Sequence, residues 1–560
     1  MKKSSLSFYG FILLLIIVLK FDLTSSLTVD SENTTTNKIC IPNQGITLDP
    51  TITADTVNLT VLYINDWHGW LEPHDGRGGA ATYMGYFKQE GFTSTDDSFL
   101  LLNGGDENTG PAVATLTKGE SMVDVMNAMN FTASVVGNHE FDYGIEWMNY
   151  RKDMANFPVL SSNIFDNGTT NLANFTIPWV IQEHAGIQVG IIGLTTTLTE
   201  TAAHPKYTQY YDFGNYEAAL RANIPTMVEA GAEVIIVLSH IAPDPLISLA
   251  ANVADLNIAL FLGGHAGTPQ VTKVGDSLVV MAGHYAQHYA RIDLEIDAST
   301  TPMTVSSSGV LVDNIEGGVT PVTEIQQIVD YWVNLVNADA VISYASTDIY
   351  DSSPESGIGN LVADGMLDYF SWTYDFSFTN IGGGIRDYFR AGDITIGDVV
   401  SVIPFENEIL EISISGQELL NILSYGHGYQ AIGNIRYSYN YDGGFHITSA
   451  YINSSGVFSE INPSTTYIGL MIDYMWWVSY KDDFPAIGTG VMYRDTAIIY
   501  ISKIPDISLI ALDGRIQEGY VVIPEFAENN LVLTIIPMIC ILLYTFRKNK
   551  HLEKRFTFFS

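Results

Sequence analysis

The stretch Ala133-Ser134-Val135-Val136-Gly137-Asn138-His139-Glu140-Phe141-Asp142 decides the fold class. A short apolar run stops at a glycine and passes at once to amide, imidazole and carboxylate. A run of this length reads as a strand buried on both faces, and glycine lets the chain turn sharply where it ends. The pattern recurs in both directions. The run 57–64 leads into Asn65-Asp66-Trp67-His68-Gly69, and the run 99–102 into Gly104-Gly105-Asp106. The run 234–238 leads into Ser239-His240, and 258–262 into Gly263-Gly264-His265; 189–194 and 278–281 are further runs. Segments of helical character such as 216–230 lie between several of them, so the expected class is α/β.

The polar residues fall where chemistry belongs. Asp66, His68, Asp106, Asn138, His139, His240 and His265 all sit at the carboxyl ends of expected strands. That is the edge at which open α/β sheets bind ligands. A lone histidine after a strand is usually a satisfied polar residue. Five such loops in one domain argue for a shared ligand, because buried charge at that density needs a partner. Carboxylate, imidazole and amide oxygen suit zinc, manganese or a similar divalent ion, and cysteine is missing from the set. Asp106 could bridge two ions. Such a pair can activate a water and neutralise phosphoryl oxygens during in-line displacement.

The rest of the chain bounds the reading. It has 560 residues, 47% hydrophobic, with 62 acidic against 25 basic side chains and a formal net charge of −37. That length allows more than one packed core. The charge argues against nucleic acid, which needs a basic face. The two cysteines, Cys40 and Cys540, do not suggest a disulfide framework. Residues 1–26 read as a signal peptide, with Lys2 and Lys3 ahead of an apolar run, and 27–55 as a polar leader. An α/β domain is expected over 56–312. A linker helix is expected within 313–340, where Ile325, Ile328, Val329, Trp332, Val333 and Val336 recur at helical spacing, followed by a smaller α/β domain over 341–520. Residues 531–546 are nearly uncharged and 547–560 are basic. That arrangement is expected to be a transmembrane helix with a basic cytoplasmic tail, giving a type I cell-surface protein rather than a GPI-anchored one. Sequons at Asn33, Asn167, Asn174 and Asn453 fit export. Oligomeric state is not legible.

These motifs resemble the calcineurin-like metallophosphoesterases, and within them the 5′-nucleotidase family. The likeness lies in Asp66-Trp67-His68-Gly69, Gly105-Asp106, Gly137 to Asp142, Ser239-His240 and Gly263-Gly264-His265. It continues into the second domain at Gly383-Gly384-Ile385-Arg386 and at Pro404-Phe405 with Asn407. The resemblance implies a four-layer α/β sandwich domain, the linker helix and a substrate-binding C-terminal domain. It implies that Asp66, His68 and Asp106 hold one metal, and that Asp106, Asn138, His240 and His265 hold the other. His139, oriented by Asp142, would act on the transition state or donate a proton. Arg386 and Asn380 would meet the substrate, Phe405 and Trp476 would stack on a nucleobase, and Asp482 would remain from a base-binding turn. The implied reaction is hydrolysis of nucleoside 5′-monophosphates. Other phosphoesters, cyclic nucleotides or nucleotide sugars are the alternatives, with a surface binding protein as a non-catalytic one.

The sequence departs from the family pattern in substrate recognition and at one metal ligand. Asn380 lies six residues before Arg386, one more than usual, the Gly-Gly-Asp-Gly turn is absent and no further substrate arginine is evident. The metal-ligand departure lies in the second half of Gly264-His265-Ala266-Gly267. There the family supplies a last ligand to the first metal, and glycine has no side chain to offer. Water, Gln270 or His284 are the replacements to consider.

Overall fold

The computed structural model describes residues 56–426, 430–441, 444–454 and 456–519. The alternation of buried residues along the strands builds two packed sheets. In the first, six strands run in the order Thr304–Asp313, His288–Asp297, Thr56–Ile64, Phe99–Asn103, Ala133–Val135 and Val159–Leu160. In the second the order is Gln270–Val274, Ser277–Met281, Ile258–Leu262, Val234–His240, Ile187–Thr195 and Trp179–His184. The middle strands of both are parallel, so their carboxyl ends meet at one edge: Ile64 pairs with Asn103, Leu102 with Ala133, Thr195 with His240, and Leu238 with Leu262.

Because strand side chains alternate between faces, a strand buried on both sides serves two cores at once. Val61, Tyr63, Leu100 and Leu102 meet Val189, Ile191, Ile236 and Leu260 between the sheets. Their neighbours Leu62, Ile64 and Leu101 face outward, against Tyr83, Met122 and Met126 of helices Ala80–Gln89 and Glu120–Met129. Ile192, Ile235 and Val237 do the same for Tyr216–Glu229 and Pro243–Asn252. The layers are therefore helix, sheet, sheet, helix. Each Leu, Ile or Val so enclosed contributes about 1.5–3 kcal/mol.

The linker helix is Thr323–Val336, shorter than the segment that contains it. Ile325, Val329 and Trp332 bury into the outer core of the first sheet, and the Trp332 indole N–H donates to Asp124 Oδ2 at 2.9 Å. Beyond it, a five-stranded sheet orders Gln430–Gly433, Phe376–Asn380, Thr466–Ile472, Glu408–Ser415 and Ala486–Met492. Helices Gly357–Tyr369, Gly416–Tyr425 and Tyr493–Ile501 share its core. Lys118 pairs with Glu406 at 3.0 Å and Arg390 with Asp75 at 2.7 Å, tying this part to the first.

The expected membrane anchoring is corrected. Among the described residues no helix is long and apolar enough to cross a membrane. The longest, Tyr216–Glu229 and Thr323–Val336, have 14 residues each. At about 1.5 Å per residue such a helix falls short of the roughly 30 Å hydrocarbon thickness. The expected signal peptide (1–26) and leader (27–55), the apolar run (531–546) and the basic tail (547–560) lie outside the described residues.

Candidate active site

Strand ends deliver the polar side chains to one point. Asp66 and His68 follow Thr56–Ile64, Asp106 follows Phe99–Asn103, Asn138 and His139 follow Ala133–Val135, His240 ends Val234–His240, and His265 follows Ile258–Leu262. Their backbones are unusual. Asp66 (φ 50°), His68 (φ 49°), Asp106 (φ 57°) and His265 (φ 71°) are all left-handed. That region costs a non-glycine residue about 1–2 kcal/mol. Strain held at four such residues around one point is the mark of a functional site. Gly137 is required by crowding: a Cβ there would lie 2.3 Å from Asp106 Oδ1.

The donor atoms converge in two groups that share Asp106. Ligand atoms of Asp106, His240 and His265 lie within 4.8 Å of one another, as do those of His68, Asp106 and His139. His240 Nδ1 donates to Gly104 O at 2.7 Å, turning Nε2 toward Asp106 Oδ2 at 3.0 Å. His265 Nδ1 is 2.8 Å from Asn138 Oδ1. Asp66 accepts from His265 N at 3.2 and 2.9 Å and from Asn65 Nδ2 at 2.6 Å.

The residues fit divalent ions. His240 Nε2 is fully buried and meets Asp106 Oδ2 at 3.0 Å without the geometry of a hydrogen bond, while its other nitrogen is fixed by a backbone carbonyl, the arrangement of a metal-ligating imidazole. The electrostatics favour positive charge. Burial alone lowers the His240 pKa, yet the Asp106 and Asp66 carboxylates hold it up to about 10. His68 differs: burial and then the Arg386 guanidinium bring it down to about 4, keeping the ring neutral.

His139 sits beside both groups. Its Nδ1 donates to Asp142 Oδ2 at 2.7 Å, and its Nε2 is 4.0 Å from Asp106 Oδ2. Burial opposes its protonation, but Asp142 and Asp106 raise its pKa overall. Behind it, Glu140 joins the two loops. Its carboxylate accepts from Asp106 N (3.0 Å), Gly137 N (2.6 Å), Glu107 N (3.2 Å) and Asn108 Nδ2 (2.9 Å). Glu140→Ala would strand these buried donors, each worth about 1–3 kcal/mol when unpaired. The variant is expected to lose at least about 3 kcal/mol of stability, read from its urea midpoint; an unchanged midpoint would remove Glu140 from this role.

A cavity of about 320 Å³ opens over these groups. One wall is His68, Asp106, Asn138, His139 and His265; the facing wall is Asn380, Arg386, Phe405 and Asn407 from the C-terminal part. Phe405 stacks on His139 at 5.8 Å between ring centroids. Asn380, at the end of Phe376–Asn380, packs its amide against Gly384. Trp476 and Asp482, expected at the substrate, are not among the lining residues. The Trp476 indole N–H is spent on Phe484 O at 2.9 Å, and Asp482 is exposed in the following turn. Tyr474 lines the cavity instead, with His204 and Tyr207 from the first domain. A usable signal existed for Tyr474: Asp473-Tyr474 directly follow the buried strand Thr466–Ile472, the same strand-end position that marked Asp66 and Asp106. His204 and Tyr207 lie in the short helical excursion between Ile187–Thr195 and Tyr211–Phe213, where no periodicity pointed to them.

An α/β fold with paired metal-ligand groups beneath one shared cavity, in a chain similar to 5′-nucleotidases, supports a hydrolase of the metallophosphoesterase class. The model of the 5′-nucleotidase C-terminal domain matches residues 338–488. A 5′-nucleotidase of Vibrio parahaemolyticus is 28% identical over 428 residues, covering 66% of this chain and 75% of that protein. The protein UshA of Escherichia coli is 25% identical over 425 residues, covering 66% and 76%. The structure of a 5′-nucleotidase precursor from Thermus thermophilus superposes with a TM-score of 0.69 at 22% identity, covering 83% of this chain and all of that one, which establishes the shared fold. The chain is thus similar to 5′-nucleotidases over most of its length, and residues 338–488 match their C-terminal domain.

Proposed function

We propose that the protein hydrolyses nucleoside 5′-monophosphates to nucleoside and phosphate. The observation that carries this reading is the meeting of two metal-ligand groups with Arg386 and Phe405, brought from the other domain to the same cavity. The relatives named 5′-nucleotidase support it. Asp66, His68 and Asp106 would hold one divalent ion, zinc, manganese or similar, and Asp106, Asn138, His240 and His265 the other. Bound there, the ions would supply Lewis acidity and a nucleophilic water.

The chain's own residues do the rest. Arg386 offers a planar fork of donors to the phosphoryl oxygens, with the Asn380 amide beside it. Water adds to phosphorus as the bond to the 5′-oxygen breaks. His139, oriented by Asp142, gives the departing oxygen its proton, so that nucleoside leaves as an alcohol. Phe405 presents an aromatic face to the base, and Tyr474 is a further aromatic lining the cavity.

The test is phosphate release from AMP, an aryl phosphate, a cyclic nucleotide and a nucleotide sugar, with manganese, zinc or cobalt supplied. AMP-selective turnover supports the proposal. Preference for another ester would reassign the substrate, and a folded protein inert toward all four would point to a binding role. Base–aromatic stacking is worth about 1–3 kcal/mol. Phe405→Ala is therefore expected to raise KM for AMP about tenfold while changing KM for the aryl phosphate less. Equal effects on both would take Phe405 away from the base.

A further inference from the structure

The two halves of the cage are not equivalent, and their difference has a direction. In one half, Asp106, Asn138, His240 and His265 come from four strand ends, and three of them place ligand atoms within 4.8 Å of one another. His240 is aimed by Gly104 O, and its buried Nε2 points at the shared Asp106 carboxylate at 3.0 Å. Four donors are what a four-coordinate ion requires.

The half around His68 is poorer. Asp66 belongs to neither convergent group, and its oxygens already accept from Asn65 Nδ2 and His265 N. His139 is held by Asp142 at 2.7 Å. The turn after His265 adds nothing, and the structure shows why. Gly267 (φ 60°) has its side-chain space filled by His284: a Cβ there would lie 2.6 Å from His284 Nδ1. His284 Nδ1 is itself 2.8 Å from Gly267 O, and His284 is in neither group. Gln270, the other nearby candidate, donates its Nε2 to Thr272 Oγ1 at 2.7 Å and is not among the residues lining the cavity. Finally, Arg386 Nη2 stands 3.2 Å from His68 Nε2 and 3.4 Å from Nδ1. This half therefore meets an incoming cation with the like charge of a guanidinium.

We infer that the ions load in order: one binds tightly among Asp106, Asn138, His240 and His265, and the second joins at His68 weakly until a phosphate binds with it. A phosphate dianion supplies what the second half lacks. It brings oxygen donors, and it neutralises Arg386 by charge-assisted hydrogen bonds. The coupling is reciprocal, so ion and phosphate each tighten the other's binding by the same factor. The inference rests on the reading of this cage as a two-ion phosphate site.

The experiment is manganese binding to the full chain after chelation, by calorimetry and electron paramagnetic resonance, without and with inorganic phosphate. Without phosphate, one ion should bind tightly and a second about tenfold or more weakly. With phosphate, the second should tighten by about tenfold, within the usual range of such couplings. His68→Ala should keep the tight ion and His265→Ala should lose it. Arg386→Gln should tighten the second ion in the absence of phosphate and weaken the phosphate effect. Two equally tight ions without phosphate, a second ion indifferent to phosphate, or a tight ion that survives His265→Ala but not His68→Ala would overturn the order. The readout is binding, so failure to turn over AMP counts against the proposed reaction and leaves this test standing.

Discussion

Asp106→Asn should lower phosphate release from AMP by about 10³-fold or more. Lewis-acid stabilisation by bound ions is worth several kcal/mol, and each 1.4 kcal/mol is about a decade in rate. Asp106 is the one carboxylate common to both ligand groups. Its two oxygens have separate tasks: Oδ1 accepts the His139 backbone N–H at 2.8 Å, and Oδ2 faces His240 Nε2 at 3.0 Å and His139 Nε2 at 4.0 Å. An amide can reproduce only one of them. If its oxygen keeps the bond from His139 N, its NH₂ points into the cage and opposes a cation. If it turns, two N–H groups face each other. Either way the negative charge between three imidazoles is lost. Steady-state kinetics with excess manganese checks the rate, and manganese titration should show the tight ion weakened as well. Turnover within tenfold of the wild type would remove Asp106 from the bridging role.

His139→Ala should cost about 10²–10⁴-fold in kcat for AMP, the usual yield of a positioned general acid. The imidazole is buried, fixed at Nδ1 by Asp142 and covered on one face by Phe405, so Nε2 has little choice of direction. The size of the loss should depend on the leaving group. The 5′-oxygen of a nucleoside is a poor leaving group and needs a proton, whereas a nitrophenolate departs without one. The same variant is therefore expected to lose at least about tenfold less on a nitrophenyl phosphate. Equal losses on both substrates would move His139 from proton donation to stabilisation of the phosphoryl oxygens. Asp142→Asn should show the same substrate pattern in weaker form, since the imidazole remains but loses its orienting carboxylate.

Much of this architecture was legible before any coordinates. The runs 57–64, 99–102, 234–238 and 258–262 fall on observed strands, and the linker helix on Thr323–Val336. Buried strands are readable because a chain enclosed on both faces must be apolar over a continuous run, and the change to polar residues marks where it leaves the sheet. The same change falls at His68, Asp106, His139, His240 and His265, the members of the two convergent groups. The substrate side was less legible. Trp476 was sought as an aromatic over the base, but its ring packs on the C-terminal core, and Tyr474, two positions earlier, reaches the cavity. Short spacing errors matter there, because in a helical turn two residues point to different sides. The apolar run near the C-terminus had the composition of a membrane span, and the described structure contains no helix able to serve as one.

By itself, the order of residues determined the α/β class and the roster of imidazole and carboxylate donors, since both depend on short-range pattern: buried run, glycine, polar tip. Only the tertiary structure decided how those donors divide into unequal halves, why Gly267 has no room for a side chain beside His284, and which aromatics face the cavity. Those outcomes arise where loops and domains distant in sequence come to share one volume, and no local periodicity encodes how such surfaces meet.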